Sequence, residues 1–537
     1  MRILTAQQMR EADRLTTEKH GIPSLQLMGN AGAGVVALLQ KLFSDLPKRR
    51  IVVLCGKGNN GGDGFVVARL LKQLGASPSV ILLAQPEAIH GDAALNMERW
   101  RHCGGEFHSI TDVADWHDGG RSAIEGQEII VDALLGTGIS GPVTGILAQV
   151  IEDVNAISSR GRHSVKVIAV DMPSGLPSDG GAAEGPAIRA DWTVTFTAPK
   201  RGQLISPNCD RVGKLVVHGI GTPRSVIEQL PADGEEMRWL DASEFRGLPL
   251  RRKPDSNKGT YGHALIVAGS RGKAGAAALA GWGALRAGAG LATVATPEDA
   301  LPTVASYRPE LMTAALAQTE NGTISLRNFE YNRFAELCKG KNVLAMGPGL
   351  TMNDETQQFV RRVLAECPLP IVLDADGLNA LAAAPTPVLD RCSPAMALTP
   401  HPGEMGRLLG VSTEKVQANR LAAAHAAAKK YNAYVVLKGF HTIVASPSGR
   451  VLINSTGNPG MATAGTGDVL TGIIAGLTAQ FGVDEWERVL GFGVYLHGLA
   501  GDLAVQRTGE GPMIAGDLID SIPEAFARVH REIENGC

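Results

Sequence analysis

A glycine-rich segment late in the chain, residues 454–472, has the composition of a phosphate-binding loop. Gly457, Gly460, Gly465 and Gly467 let backbone N–H groups turn toward a ligand, because glycine has no Cβ atom to interfere. The apolar run at residues 469–483 has helical length and predicts a helix that begins near residue 465. Unpaired N–H groups and the positive end of the helix dipole make such a point an anion site.

Asp468 directly follows these glycines, where a carboxylate would be repelled by bound phosphate. One chemical reason for its presence is removal of a proton from a hydroxyl group that attacks phosphorus. The alternative is that the helix dipole favours an aspartate in any first turn. Residue 468 alone supports the two interpretations equally.

Three polar loops follow predicted strands in the first half of the chain. The first, CGKGNNGGDG at residues 55–64, opens a helix but is neither G-x-G-x-x-G nor a P-loop. The others contain Asp132, and Asp171 with Ser174. Such groups could hold a hard cation or act as acid and base. Each aspartate alone is also a common turn or N-cap residue, but three such loops on one sheet favour a site.

Further clusters follow predicted strands in the second half. His401 lies between two prolines and is either a rigidly held functional group or a packed turn histidine. Lys438 precedes Gly439 and either contacts phosphate or ends a solvated strand. Arg271 and Lys273 add two positive charges that the pattern does not explain.

These loops are positioned by alternating strand and helix patterns. In the first half, strands are predicted at residues 51–55, 80–83, 129–132, 167–170 and 192–197, and helices at 6–19, 25–42, 64–74, 88–102 and 146–158. Apolar strands separated by helices indicate a mainly parallel sheet covered on both faces, which binds ligands beyond the carboxyl ends of its strands.

A turn-rich stretch predicts a linker near residues 225–245, and a second alternation follows it. Strands are predicted at residues 263–268, 292–295, 343–346, 371–374, 396–399 and 434–437, and helices at 274–287, 356–365, 415–430, 484–507 and 514–531. The 537 residues therefore form an α/β protein with two domains, placed at 1–225 and 240–537.

Composition excludes several classes of function. The net charge of −3 gives no electrostatic case for nucleic acid. Seven scattered cysteines without a C-x-x-C pair indicate neither zinc nor a disulfide framework, which fits a reducing compartment. The start of the chain lacks a secretion signal, and the longest uncharged apolar run is too short to span a bilayer. We therefore expect a soluble cytoplasmic protein without a membrane partner.

The motifs GKGNNGGDG, VDALLGTGISGP and VDMPSGL resemble the NAD(P)HX epimerase family over residues 5–218. The resemblance implies a Rossmann-like three-layer αβα domain that interconverts the R and S epimers of hydrated NADH or NADPH. It implies substrate contacts by Asn59, Asn60, Gly61, Gly62, Asp63, Gly136, Thr137, Gly138, Ile139, Ser140, Gly141, Pro142 and Asp171. It also implies a potassium ion bound by Asn60, Asp132 and Ser174. Asp171 is our hypothesis for the proton shuttle.

The motifs KGTYG, AGAAALAG, MGPGL, DADGLNAL, LTPHPGEMGRLL and GNPGMATAGTGDVLTGIIAGL resemble the ADP-dependent NAD(P)HX dehydratases, of the ribokinase-like superfamily, over residues 250–530. This implies a ribokinase-like αβα domain in which Asp468 is the catalytic base. It implies substrate contacts by Ala277, Gly349, His401 and Asp468, and nucleotide contacts by Lys438, Gly439, Phe440, His441, Thr442, Gly465, Thr466 and Gly467.

Both halves together resemble the bacterial bifunctional NAD(P)HX repair enzymes. The implied reaction phosphorylates the ring hydroxyl of the S epimer with ADP and Mg²⁺, then expels phosphate to leave NADH or NADPH and AMP. Two alternatives are a ribokinase-type kinase with a regulatory first domain, and a first half that only binds partners. The residues do not separate ADP from ATP or NADHX from NADPHX. The apolar content favours a homo-oligomer.

Overall fold

The computed structural model describes residues 1–139, 141–158, 165–231, 236–384 and 395–535. The chain divides into two compact units, one of residues 2–236 and one of residues 237–537 with residue 1. The predicted boundaries at 225 and 240 stay a prediction. The expected linker at 225–245 instead contains the end of a short helix and a strand that belongs to the second unit.

The described part of the first unit forms a parallel sheet of seven strands, β1 to β7, in the order β3-β2-β1-β4-β5-β6-β7. The strands are β1 (Ile51–Cys55), β2 (Ser79–Leu82), β3 (His108–Ser109), β4 (Ile129–Ala133), β5 (Lys166–Val170), β6 (Trp192–Phe196) and β7 (Lys214–His218). This order matches the Rossmann arrangement, in which the ligand crevice lies where the strand order reverses, between β1 and β4.

Helices cover both faces of this sheet. They are α1 (Ala6–His20), α2 (Ser24–Leu42), α3 (Asn59–Gln73), α4 (Gly91–His102), α5 (Val113–Asp115), α6 (Arg121–Ile124), α7 (Gly145–Ser158), α8 (Arg201–Leu204) and α9 (Arg224–Gln229). Val53 packs with residues of α2, α3 and α4, whereas its neighbours Val52 and Leu54 pack with residues of α7. Because alternate strand residues face opposite sides, both faces are buried, which confirms the predicted three-layer architecture.

The described part of the second unit forms a mixed sheet of ten strands, ordered β11-β10-β9-β12-β13-β14-β15-β16-β17-β8. They are β8 (Met237–Trp239), β9 (His263–Val267), β10 (Leu291–Pro297), β11 (Met312–Leu316), β12 (Val343–Met346), β13 (Ile371–Leu373), β14 (Met396–Leu398), β15 (Tyr434–Leu437), β16 (Ile443–Ala445) and β17 (Val451–Ile453). The pairs β15–β16 and β16–β17 are antiparallel, and the others are parallel.

The helices of the second unit are α10 (Ala274–Arg286), α11 (Leu301–Tyr307), α12 (Arg333–Cys338), α13 (Asp354–Glu366), α14 (Ala375–Ala382), α15 (Pro402–Leu409), α16 (Thr413–Ala418), α17 (Arg420–Tyr431), α18 (Thr466–Phe481), α19 (Trp486–Thr508) and α20 (Ala515–Glu534). The prediction of a single helix at residues 415–430 was wrong, because the structure has two helices there, α16 and α17. Asn419 leaves helical geometry there and caps α17 by accepting a hydrogen bond from the Ala422 N–H.

The central helix of the second unit is α18, which begins at the glycine-rich segment, as predicted. It packs closely on α10, where the Cα atoms of Gly472 and Gly476 approach the carbonyl oxygens of Ala280 and Ala284. A Cβ atom at Gly472 would lie 2.0 Å from the Ala280 oxygen, so a larger residue would separate the two helices. No helix in the described ranges has both the length and the apolarity to cross a membrane.

Candidate active sites

A cavity of about 660 Å³ opens at the carboxyl edge of the first unit's sheet. Eight residues predicted to contact substrate line it: Asn59, Asn60, Asp63, Gly136, Thr137, Gly138, Ile139 and Asp171. Gly61 and Gly62 are not among the lining residues; a Cβ atom on Gly61 would lie 1.9 Å from the Gly56 oxygen. Gly141 and Pro142 are exposed outside the cavity, and Ser140 lies outside the described residues.

Asp171 follows β5 and is held by an unusual set of contacts. Its backbone is left-handed, with φ of 61°, a conformation that costs free energy for a residue with a side chain. The carbonyl oxygen of Asp171 accepts a hydrogen bond from Gln203 Nε2 at 2.6 Å, which stabilises this conformation. The side chain is thereby fixed at the cavity wall.

The partner of the Asp171 carboxylate is Lys200, which sequence reasoning did not single out. Lys200 is 1% exposed, and its Nζ lies 2.6 Å from Asp171 Oδ1. The same ammonium donates to Thr195 Oγ1 at 2.7 Å and to the Phe196 carbonyl at 3.1 Å. Lys200 follows β6 without a recognisable motif, so only the fold brings it to Asp171.

Asp132 and Ser174, two of the three predicted potassium ligands, are in direct contact. The Ser174 hydroxyl donates to Asp132 Oδ1 at 2.6 Å, and the Ser174 N–H donates to Oδ2 at 2.8 Å. Asp132 is fully buried, and in the described part of the chain no cationic side chain pairs with it. Burial raises the pKa of Asp132 to about 6. The third predicted ligand, Asn60, has a buried Nδ2 without a hydrogen-bond partner.

In the second unit, Asp468 lies in the first turn of α18. Gly465 begins this helix at φ of 90°, a left-handed conformation that suits glycine. Burial, reinforced by the negative charge of Asp374, raises the pKa of Asp468 to about 7, although the charge of Lys438 acts in the opposite direction. A carboxyl group with this pKa can exchange a proton near neutral pH.

Lys438, at the end of β15, lies beside the start of α18. A Cβ atom on Gly467 would be 3.5 Å from Lys438 Nζ, so the ammonium faces the predicted phosphate-binding turn. Nζ donates to Asp374 Oδ1 at 2.7 Å and lies 3.9 Å from Glu404 Oε2. The other oxygen of Asp374 accepts from Thr471 Oγ1 at 2.6 Å. Asp374 is therefore a buried anchor for the lysine.

Two other predicted residues, Thr466 and His401, have roles inside their own loops. The Thr466 hydroxyl donates to the Met461 and Thr463 carbonyls, which leaves only its N–H for a ligand. His401 Nδ1 accepts from the N–H groups of Gly403 and Glu404 and caps α15. Burial lowers the pKa of His401, so the unprotonated ring that capping requires is favoured.

The segment from Lys438 to Thr442 joins the antiparallel strands β15 and β16. Arg420 holds this segment in place. Its Nη2 donates a hydrogen bond to the Leu437 carbonyl at 3.1 Å, and its Nη1 donates one to the Phe440 carbonyl. Phe440 is 56% exposed and stacks on His441 with ring centroids 3.9 Å apart. An exposed stacked aromatic beside a phosphate-binding turn offers a surface for a planar base.

Gly349 follows β12, and Ala277 lies in α10. Gly349 has φ of 66°, and a Cβ atom on it would lie 3.1 Å from Lys273 Cβ. Ala277 is fully buried beside Gly269, so its methyl group makes packing contacts. Arg271 binds Asp299 in an ion pair, which explains one of the two positive charges that the sequence left unassigned.

The two units match two protein-family models. Residues 24–202 match the YjeF-related N-terminal family, and residues 264–524 match the NAD(P)H-hydrate dehydratase family. The two units therefore correspond to two separate protein families, one for each half of the chain.

Relatives match over nearly the whole chain. The bifunctional NAD(P)H-hydrate repair enzyme of Moorella thermoacetica is 43% identical, and the match covers 99% of this chain and 98% of the relative. The bifunctional NAD(P)H-hydrate repair enzyme of Escherichia coli is 34% identical, and the match covers 99% of this chain and 96% of the relative. The solved ADP/ATP-dependent NAD(P)H-hydrate dehydratase of Bacillus subtilis, co-crystallised with ATP and Mg²⁺, is 33% identical, covers 54% of this chain and 98% of its own, and has a TM-score of 0.46. The chain belongs to the family of bifunctional NAD(P)H-hydrate repair enzymes.

Proposed function

We propose that the first unit interconverts the R and S epimers of hydrated NADH and NADPH, and that the second dehydrates the S epimer. The second reaction consumes ADP and yields NADH or NADPH, AMP and phosphate. The observation that carries this assignment is Asp468, a carboxyl group with a pKa near 7, next to Lys438 at an amide-lined helix start. A hydroxyl activated there would attack a phosphorus held by the turn.

In the second unit, the Asp468 carboxylate would remove the proton of the ring hydroxyl as its oxygen attacks the terminal phosphorus of ADP. The N–H groups of residues 465–467 and the Lys438 ammonium would stabilise the negative charge that develops on the phosphoryl oxygens. The ring nitrogen lone pair then expels phosphate, and loss of a ring proton restores the reduced nicotinamide. The exposed ring of Phe440 would contact the adenine base.

Mg²⁺ fits this site as a partner of the nucleotide rather than as an ion held by the protein alone. Within the described ranges, no group of three or more His, Cys, Asp or Glu side chains could hold a metal ion. Mg²⁺ commonly relies on one or two carboxylates together with phosphates and water. Glu404, whose carboxylate lies near Lys438, would hold it from the protein side. The bound ion would neutralise phosphate charge.

In the first unit, the fully buried Asp132 carboxylate suits a bound potassium ion. Its hydrogen bonds come only from neutral donors, namely the Ser174 N–H and hydroxyl and the Leu134 N–H. A buried charge without a partner is costly, so a nearby cation would compensate it. The oxygens of Asp132, Ser174 and Asn60 would hold the ion and fix the loops around the cavity.

The decisive experiment supplies mixed NADHX epimers to the purified chain with K⁺, Mg²⁺ and either ADP or ATP. We expect absorbance of the reduced nicotinamide to return until both epimers are consumed, with one phosphate released per NADH. A stable phosphorylated product without NADH would instead identify a ribokinase-type kinase. If NADH returned only from the S epimer, the epimerase assignment would be refuted. If the Asp171→Ala variant epimerised the substrate at the parental rate, the role of Asp171 would be refuted.

We further propose that the enzyme acts in the cytoplasm as a homo-oligomer, with small molecules as its partners. The seven cysteines are scattered along the chain without a C-x-x-C pair, a pattern that fits a reducing compartment. Light scattering of the purified chain would measure its mass in solution, and a monomeric mass would refute the oligomer.

A further inference from the structure

Asp13 lies in the wall of the first unit's cavity, although no motif marks it. It comes from the middle of α1 and lines the cavity together with Asp63, Asp171 and Lys200. Its Oδ1 atom is buried and has no hydrogen-bond partner within the described residues. A buried carboxyl oxygen without a partner is costly unless a ligand completes it.

Lys200 does not satisfy Asp13 by hydrogen bonding. An ammonium has three N–H donors, and those of Lys200 are directed at Asp171 Oδ1, Thr195 Oγ1 and the Phe196 carbonyl. Asp171 is thereby kept as an ion pair, whereas Asp13 has only the weaker, longer-range effect of the same charge. The two carboxyl groups therefore differ in their contacts: Asp171 has a cation at hydrogen-bond distance, whereas Asp13 Oδ1 has no partner within the described residues.

We infer that Asp13 is a second catalytic carboxyl group of the epimerase, which exchanges protons with the substrate together with Asp171; this rests on the proposed function. Inversion at the hydroxyl-bearing carbon requires water to leave one face of the ring and return on the other. One group must give a proton to the departing oxygen, and another must take one from the arriving water. Asp13 on α1 and Asp171 after β5 reach the cavity from different elements.

The chemical steps balance without a redox partner. Asp13 donates its proton to the hydroxyl oxygen, the C–O bond breaks, and water leaves while the ring nitrogen lone pair forms a C=N⁺ bond. A water molecule then attacks the same carbon from the opposite face and gives its proton to the Asp171 carboxylate. The reverse reaction exchanges the two roles, as an equilibration of epimers requires.

The charges around the cavity support this division. Its charged lining residues are Arg10, Asp13, Arg14, Lys57, Asp63, Asp92, Asp171 and Lys200. Burial raises the pKa of Asp13 to about 6, with Lys200 opposing and Asp171 reinforcing the change. Burial also raises the pKa of Asp63 well above its usual range. A protonated Asp13 is therefore accessible near neutral pH.

The test uses the full chain carrying Asp13→Asn and pure R-NADHX without ADP, with epimers separated by chromatography over time. We expect kcat for epimerisation to fall by about 100-fold or more, with KM within about threefold, because general acid catalysis contributes about 10²–10⁴. Glu18→Gln, an exposed carboxylate on the same helix, is the control and should retain the parental rate. Parental kcat in Asp13→Asn, or a loss confined to KM, overturns the inference.

Two readouts separate this role from a structural one. If Asp13→Asn does not fold, the parental pH profile decides: epimerisation must decline as pH rises above about 6, since the acid form is lost, and a flat profile overturns the inference. If Asp13→Asn folds, the second readout uses Asp13→Ala. Added formate should raise the epimerisation rate of Asp13→Ala at least about tenfold, and a rate that formate does not change overturns the inference. A parental chain that does not epimerise would instead refute the proposed function.

Discussion

The two units both place an aspartate near a buried lysine at the carboxyl edge of a sheet, but the lysines are paired differently. In the first unit, Lys200 binds Asp171 itself at 2.6 Å. In the second, Lys438 binds Asp374, while Asp468 lies nearby with its pKa raised to about 7. The comparison shows that the same two residue types give different protonation chemistry according to which carboxylate holds the lysine.

This difference suits the two proposed reactions. Phosphoryl transfer to a hydroxyl needs one base that can lose its proton near neutral pH, and the Lys438–Asp374 pair leaves Asp468 free for that task. Epimerisation needs one acid and one base at the same time. Lys200 pairs with Asp171 itself, so the proposed second proton-exchanging group has to come from another part of the cavity wall.

Asp468→Asn should have the largest effect. The amide cannot accept the hydroxyl proton, so dehydration should fall by about 10²–10⁴-fold, measured as the return of NADH from S-NADHX and ADP. Epimerisation by the same chain should remain at the parental rate, which serves as the internal control. Parental dehydration by this variant would remove Asp468 from the proposed role.

Lys200→Met should destabilise the first unit, because it leaves the Asp171 carboxylate buried without its partner. Breaking a buried ion pair costs about 3–5 kcal/mol, which urea unfolding would detect as a lower midpoint for this unit. Lys166→Met removes a partner of Asp191 whose side chain is 37% exposed, and it should cost at most about 1 kcal/mol. Equal losses in the two variants would show that the Lys200 pair has no special energetic role.

The pH dependence of dehydration should follow the ionisation of Asp468. The base acts as a carboxylate, so kcat/KM should rise about tenfold per pH unit up to about 7 and then level off. Initial rates of NADH formation, measured from pH 5 to 8, would show this rising part of the pH profile. A rate that is constant from pH 5 to 8 would contradict the proposed base.

Asp374→Asn should change the pH dependence of dehydration, and this is the most diagnostic of the changes. Asp374 is a negative charge that helps raise the pKa of Asp468, and it also holds Lys438 away from that carboxylate. Loss of this charge should lower the pKa of Asp468, so the rise of kcat/KM for dehydration with pH should occur at lower pH. A conservative variant of the other partner of Asp374, Thr471→Ser, keeps the hydroxyl and should leave the pH of this rise unchanged.

Local pattern was sufficient for the elements nearest the two sites. The strands β1, β4, β9, β12 and β15 and the start of α18 lie where apolar runs and glycine-rich loops predicted them. The strands β3, β7, β8, β11, β16 and β17 were not predicted. Four of them, β3, β8, β16 and β17, have only two or three residues, which carry too little periodicity to indicate a strand. Asn419 was read as part of one helix because its neighbours are strong helix formers.

The sequence by itself determined where the two ligand-binding loops would form, because glycines, strand ends and helix starts are local features. Tertiary structure alone decided that Lys200 reaches Asp171 and that Lys438 reaches Asp374, 64 residues away along the chain. It also turned His401 into a helix cap and brought Asp13 into the cavity. The physical reason is that proton affinity depends on burial and on charges a few ångströms away, and distant chain segments supply both.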